Sequence, residues 1–525
     1  MCRYHLCSVS ILILFILFVV SCDKPDTLSS RETLQNENVL RYDVSAPFTS
    51  LNPTQVYASG STLVFPLLYS YLFVPNANGR LEPDLAFKWT YDLGSFTWTI
   101  HLRKDVLFHN KQYITSNDVK YSLEEHLKSV NSPLSSIIDR MSASSDSTIT
   151  IGLRKNDPWF LQKIWNKEIV PQPGESRIDF FSHPIGSGPF KFKYRKGEKE
   201  VCLEANEDYF NGRPSLDQVV FYFQPDKENT WTRLLSGKTD IAQEISPKNY
   251  EMTKQYRKRF YFDLYTLDWY TILLYNTTDP LFSDRRVRIA LSHAIDREYI
   301  VEKILGGFGK VAVGPMGMNS QYRNPEVKPV PYDPQTGLKL LKEAGWSYHK
   351  KGRYLNRRGQ LFEFAILVFK EGQVEKEVAQ YIRLCLNDLG IKVRLQALPF
   401  KELVNRYFRN NEFQAVLTEF RCLVRNPEAL KNQWSPDFSK RSEAGCFEHP
   451  QVTRLIHEAL NEKDSVRQEE LFSKSDELIA SLQPGTFLFH KAAIDVMSRR
   501  FKMPVPFSLR NAGIYRLRHA SLTTN

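Results

Sequence analysis

Apolar residues recur along the chain with two different spacings. Thr97–Leu102 and Thr148–Leu153 alternate every second residue, which predicts half-buried strands. Val219–Phe223 is an unbroken apolar run and predicts a buried strand, and Phe362–Phe369 predicts another strand. From Asp284 to Leu305 the spacing is helical, with Val287, Ala290, Leu291, Ala294 and Ile295 on one side. It predicts one long helix with Asp284 as its N-cap. Thr115–Val119 opens another helix, running through Glu124. Asp333–Ala344 predicts a helix stopped by Gly345, and Glu375–Leu389 one closed by Gly390 and followed by the strand Lys392–Leu395. A strand, a helix, a glycine stop and a second strand make an α/β unit. Gly186 and Gly188 before Pro189 predict a tight turn entering a strand. No repeat of fixed period is present.

The first residues break this pattern. Met1–Ser8 carries the single fixed positive charge Arg3, and Val9–Val20 is almost entirely Ile, Leu, Val and Phe. That is the layout of an export signal. The run is about twelve residues, whereas a membrane span needs roughly 20. Asp23–Asn38 is polar and free of aromatics, which predicts a tether, with order beginning at Val39–Tyr42. A body of about 500 residues is too long for a single core, so two or three lobes are expected.

Charge and cysteine content change this picture little. The net charge of +11 is spread without a long basic block, so it predicts a basic surface rather than a nucleic-acid partner. Cys202, Cys385, Cys422 and Cys446 fall in the body, and their spacing does not fix a pairing. They form no Cys/His cluster for zinc, and no metal or cofactor is expected. HExxH, GxSxG, Walker and SxxK…KTG motifs are absent, so the chain is not expected to be an enzyme and no residue is assigned as catalytic.

Val19-Val20-Ser21-Cys22 resembles the bacterial lipobox. That resemblance implies cleavage before Cys22, lipidation of its thiol, and a location on the periplasmic side of the cell membrane. Two or more acyl chains are needed for a stable anchor. Asp23 resembles the signal that keeps enteric lipoproteins at the inner membrane.

Five stretches, in order, carry a broader resemblance. They are Glu82–Ala86 with Trp98–Lys104 and Asn117-Asp118-Val119; Gly186–Lys191 with Tyr209-Phe210 and Gly212-Arg213-Pro214; Leu235–Ile241; Asn276-Thr277 with Asp284–Arg297 and Gly314-Pro315; and Tyr332-Asp333-Pro334 with Leu341–Trp346 and Leu389-Gly390-Ile391. Together they resemble the large extracytoplasmic solute-binding proteins of family 5, which feed ABC transporters for oligopeptides and dipeptides. The resemblance implies an α/β, two-lobed periplasmic-binding-protein fold of the large peptide-binding type, with an additional inserted domain, and ligand capture by hinge closure. On this chain it divides as signal peptide 1–21, tether 22–38, lobe I from 38–73, 181–275 and 485–525, inserted domain 74–180, and lobe II 276–484. Expected partners are a peptide or peptide-like ligand, ABC permease subunits and the membrane through the lipid anchor, with the receptor a monomer.

The resemblance also implies where the ligand sits. Peptide binders of the family meet the free amino terminus with an Asp in a loop that follows a strand and an aromatic. The matching region is Leu417–Pro427, where Leu423 stands at the Asp position and cannot receive an ammonium. Arg421 and Arg425 flank it and would favour a carboxylate, with Phe420 and Asn426 alongside. A shift of register gives the role to Glu419 instead. By position, Tyr57 and Ser59 of the first lobe, and Trp269, Tyr270 and Asn276 at the crossing into the second, are the other cleft candidates. The loss of Asp at 423 keeps open a non-standard solute such as glutathione, a murein peptide, a nickel complex or haem. A sensor or chaperone without a permease also remains open.

Overall fold

The computed structural model describes residues 37–54, 60–75, 81–128, 133–157, 159–173, 183–245, 247–318, 320–348, 352–422, 428–435, 447–462, 464–502, 517 and 520–522. A compact body begins at Asn38.

Its centre is an 11-stranded mixed sheet. In chain order its strands are β1 (Val39–Val44), β2 (Phe190–Lys196), β3 (Glu200–Ala205), β4 (Gln218–Phe223), β5 (Ile241–Ala242), β6 (Phe260–Tyr275), β7 (Gly309–Val311), β8 (Glu363–Phe369), β9 (Lys392–Leu398), β10 (Ala415–Arg421) and β11 (Gly485–Ser498). The order across the sheet is β2-β3-β4-β1-β5-β11-β6-β10-β8-β9, with β7 on β11. β1, β4 and β5 are parallel to one another, and so are β8, β9 and β10. The apolar runs VVF in β4 and FAILV in β8 are what a strand needs when both its faces are covered.

β6 and β11 run the length of both lobes as an antiparallel pair. Their register is regular from Phe260↔Ser498 to Thr266↔Ala492, resumes at Tyr270↔His490, and shifts again between Thr271↔Phe489 and Ile272↔Phe487. Three residues, Leu267-Asp268-Trp269, thus stand against Lys491 alone. The cores part at this bulge. Ile494, Val496 and Met497 pack with Phe260, Leu40 and Phe221 on one side of it. Leu273, Tyr270, Phe487 and Phe489 pack with the helices of lobe II on the other. β6 and β11 each contribute residues to cores on both sides of the bulge.

A separate four-stranded antiparallel sheet holds Ala86–Asp92, Thr97–Leu102, Thr148–Leu153 and Ile138–Ser145. With the helix Ser116–Leu127 it encloses its own core, from Leu72 to Ile169. Thr115 and Asp118 form a reciprocal capping box at that helix's start.

The lobe II helices are α1 (Arg285–Ala294), α2 (Pro334–Glu343), α3 (Gln373–Asp388), α4 (Pro450–Asn461) and α5 (Ser465–Leu482). Asp284 caps α1 and Asp333 caps α2 through backbone N–H groups, while Gly345 and Gly390 take the left-handed conformation at helix ends. The single helix expected over Asp284–Leu305 is broken. Ile295 is extended, and Asp296 starts a new turn by accepting the Tyr299 N–H. A short acidic side chain offers the backbone a local partner that competes with helix continuation. Gly186 and Gly188 lie just before the strand that starts at Phe190, and neither has a positive φ. A Cβ at Gly186 would lie 1.9 Å from Leu68 O, and one at Gly188 would lie 2.5 Å from Leu67 O. They are glycines because another segment of backbone crosses them at contact distance.

Candidate ligand site at the crossing strands

The parallel strands on both sides of the bulge run toward it. β8, β9 and β10 finish at Phe369, Leu398 and Arg421, and Arg421 is paired with Trp269 on β6. β1, β4 and β5 finish at Val44, Phe223 and Ala242, and the Glu244 N–H just beyond donates to Asp495 on β11. In open α/β sheets, ligands collect at the carboxyl ends of the strands, where connections diverge and backbone groups are exposed.

On one face of the crossing, β6 and β10 set Trp269 opposite Arg421 and Thr271 opposite Glu419. Trp269 is 39% exposed, large for an aromatic ring, and the Arg421 guanidinium lies 5.9 Å from its centroid. Next to them Lys491 Nζ donates to Glu375 Oε1 at 2.8 Å and lies 2.6 Å from Glu419 Oε1. Burial pulls the Lys491 ammonium down, but Glu419 and Glu375 outweigh it and hold its pKa above the ordinary value. Burial raises the Glu375 carboxyl, and Lys491 more than reverses that. Glu375 sits in the first turn of α3, where the helix dipole also favours its charge. The cluster holds two carboxylates, one ammonium and one guanidinium, with Lys491 set against both carboxylates.

The opposite face is dry. Tyr270 is fully buried, with its ring edge-on to Phe420 at 5.8 Å and tilted on Phe487 at 5.6 Å. His490 Nδ1 lies 3.2 Å from Trp269 O and 3.7 Å from Cys422 Sγ, and burial lowers its pKa to about 4. The ring is therefore neutral at pH 7 and ties the bulge to β11.

The sequence candidates thus part company. Trp269 and Arg421 meet at the exposed rim. Tyr270 and Phe420 are core residues beneath it. Asn276 donates to Phe413 O at 3.0 Å and accepts from the Thr278 N–H and hydroxyl, so it holds a turn rather than facing a cleft. Glu419 is engaged by Lys491 and is not a vacant ammonium receptor. Tyr57, Ser59, Leu423, Arg425, Asn426 and Cys22 lie outside the described residues. Lys491 and Glu375 escaped sequence reasoning. The one available signal was a lysine inside the mostly apolar stretch Phe487–Ile494, where a charge must be paired.

Comparison with known proteins follows this geometry. The oligopeptide-binding protein AppA of Bacillus subtilis is 25% identical over 511 residues, covering 92% of this chain and 93% of that protein. The glutathione-binding protein GsiB of Pectobacterium atrosepticum is 25% identical over 485 residues, covering 87% and 89%. The structure of Bacillus subtilis AppA in complex with a nonapeptide superposes with a TM-score of 0.70 at 23% identity, over 93% of this chain and 99% of that one. Residues 80–436 match the profile of the bacterial extracellular solute-binding proteins, family 5 Middle, and the chain belongs to that family.

Proposed function

We propose that this protein is an extracytoplasmic receptor that takes a peptide between its two lobes and hands it to an ABC permease. The observation that carries the reading is the convergence of both sets of parallel strand ends on the bulge where β6 and β11 cross. An extended peptide laid there meets the Trp269 ring, the Arg421 guanidinium and the Lys491–Glu375–Glu419 cluster. The cleft binds and releases without catalysis. The signal at 1–21 is removed, Cys22 carries the lipid, and the receptor works as a monomer beside its permease.

A second reading is a solute other than an ordinary peptide. Leu423 supports it, because the ammonium-binding Asp is missing and Glu419 is occupied by Lys491. The similarity to a glutathione-binding protein gives it the same direction. Native mass spectrometry of the purified protein, followed by calorimetric titration with acidic and basic peptide pools, separates the two. A retained peptide mass supports the first reading. A retained non-peptide mass, with no heat from either pool, rejects it. Arg421→Ala is expected to weaken acidic peptides selectively; equal losses for both pools would remove Arg421 from recognition.

A further inference from the structure

Two short basic runs, Arg257-Lys258-Arg259 and Arg499-Arg500, meet where the β6–β11 ladder begins, at the rung Phe260↔Ser498. The Arg499 backbone N–H donates to Arg259 O at 2.9 Å, and its Nε donates to Arg257 O at 2.7 Å. Arg259 donates to Leu235 O at 2.9 Å, and the Ser498 N–H donates to Asp240 O at 2.8 Å. These contacts draw the segment 236–240, with Lys238, to the same end of the sheet. Arg257, Lys258, Arg259, Lys238 and Arg499 are all exposed. Among the described residues, the first four make no salt bridge. The carboxylates of this end are turned inward, Asp240 buried against Arg500 and Asp43 against Arg233. No Asp or Glu lies between Glu251 and Asp263, and none follows Asp495. A cluster of one sign with no local counter-charge sets up an attractive field for an anionic surface.

The position of the cluster selects the partner. Arg500 Nη2 donates to Val39 O, at the first strand of the compact body. The basic end is therefore the end at which the chain enters the body from residues 23–38. A flexible segment of about sixteen residues spans about 22 Å on average and at most about 55 Å. Lipid on Cys22 would hold this end of lobe I within that reach of the headgroups. The bulge and its charge cluster stand about 20 Å away along the ladder from Phe260 to Thr266. Anionic phospholipid complements the end that carries the cations, and basic residues next to an anchor are a recurrent second attachment.

We propose that this end of lobe I is a membrane-docking surface that binds anionic phospholipid headgroups. The inference rests on the anchor reading for the nearness of the bilayer, and it does not depend on what the cleft binds. The tether makes the second contact intramolecular, so a surface too weak to hold a free protein is still occupied. Docking here leaves the crossing strands, at the other end of the ladder, uncovered.

Vesicles test the surface without the anchor. The mature chain carrying Cys22→Ser is sedimented with vesicles of phosphatidylcholine alone, and with vesicles of equal parts phosphatidylcholine and phosphatidylglycerol. Binding is expected to the second only, and to vanish in about 0.5 M salt, where charges are screened within a few ångströms. Each basic residue at an anionic surface contributes about fivefold, so Lys238→Gln, Arg257→Gln and Lys258→Gln together should lower the partition coefficient about a hundredfold. None of these three side chains makes a hydrogen bond among the described residues, so the triple variant should keep its melting temperature. Lys303→Gln, Lys339→Gln and Lys342→Gln remove the same charge from exposed positions of lobe II and should change binding by less than about twofold. Equal binding to both vesicles, no binding to either, an unchanged partition of the first variant, or an equal loss in the lobe II variant overturns the proposal. Capture of polyglutamate without capture of vesicles does the same, since the surface would then serve an acidic polypeptide. The anchor is read separately: if Cys22→Ser leaves the chain in the same cell fraction as wild type, the anchor reading falls, while the vesicle measurement still decides whether this surface binds lipid.

Discussion

His109 is the residue whose removal tests the local physics most sharply. Its Nδ1 accepts the Gly186 N–H at 3.2 Å and its Nε2–H donates to Gly188 O at 3.1 Å. The ring thus clamps, as a neutral tautomer, the loop that crosses Leu67 and Leu68 at contact distance. Gly188 O keeps the Asn206 side chain as a second donor at 3.0 Å, whereas the Gly186 N–H has no substitute. His109→Ala loses two hydrogen bonds of about 1 kcal/mol each and strands one buried donor, for a total of about 3 kcal/mol at pH 7. Burial first, with a small opposing pull from the bond to Gly188, sets the His109 pKa at about 4. An unfolded histidine titrates near ~6.5, so as pH falls the unfolded chain binds the proton first. The stabilisation is full above ~6.5 and is lost as pH drops toward the folded value. At about pH 5 the linkage relation places that loss near 2 kcal/mol. The measurement is urea unfolding of wild type and variant at two pH values, with the four-stranded domain monitored by hydrogen exchange at its amides. His126 and His490 are present in both chains, so their own depressed pKa values cancel in the difference. The gap of about 3 kcal/mol at pH 7 should shrink to about 1 kcal/mol at pH 5. A gap that stays constant, or widens in acid, would refute a neutral clamp.

Three further substitutions probe other parts of the fold. Arg288 is buried and donates to Phe282 O, Ser283 O, Leu482 O and Gln483 O, joining the start of α1 to the end of α5; Arg288→Lys cannot reproduce that fork and should cost about 3 kcal/mol in chemical denaturation. Lys491→Met leaves Glu375 and Glu419 facing each other, which should lower the melting temperature at pH 7 and recover it near pH 4 as a carboxylate takes up a proton; a loss that is the same at both pH values would show that packing, not charge, is responsible. Gly186→Ala drives a methyl into Leu68 O and should cost more than about 3 kcal/mol, seen as loss of soluble protein, whereas Gly197→Ala, which meets no neighbour within 4 Å, should fold and pay only for its positive φ.

Helix ends were the most legible part of this chain. Asp284, Asp333, Gly345 and Gly390 act as caps and stops because each works on backbone groups within a few residues, which local sequence fixes. The α/β class followed from the strand–helix–Gly–strand unit over 362–395 for the same reason. Asp296 marks the limit of that reasoning: its side chain breaks a helix whose apolar spacing continues undisturbed through Ile295. At the site, Trp269 and Arg421 were placed by position in the family pattern. Tyr270 and Phe420, one residue away on the same strands, point into the core because alternation sends neighbours to opposite faces. Lys491 and Glu375 are 116 residues apart and meet only when β11 passes the start of α3, a fact that no local pattern contains.

The bulge at Leu267-Asp268-Trp269 gives the crossing strands a mechanical character. The β6–β11 ladder is in register as far as Thr266↔Ala492, is interrupted opposite Lys491, and shifts once more between Thr271 and Ile272. A ribbon built this way behaves like two splints joined by a short slack length. A swing taken up in the backbone dihedrals of this stretch would break no rung between Phe260 and Thr266. Because Trp269 is one of the slack residues, its ring would travel with the swing, and its fluorescence becomes an internal goniometer for the angle between the lobes.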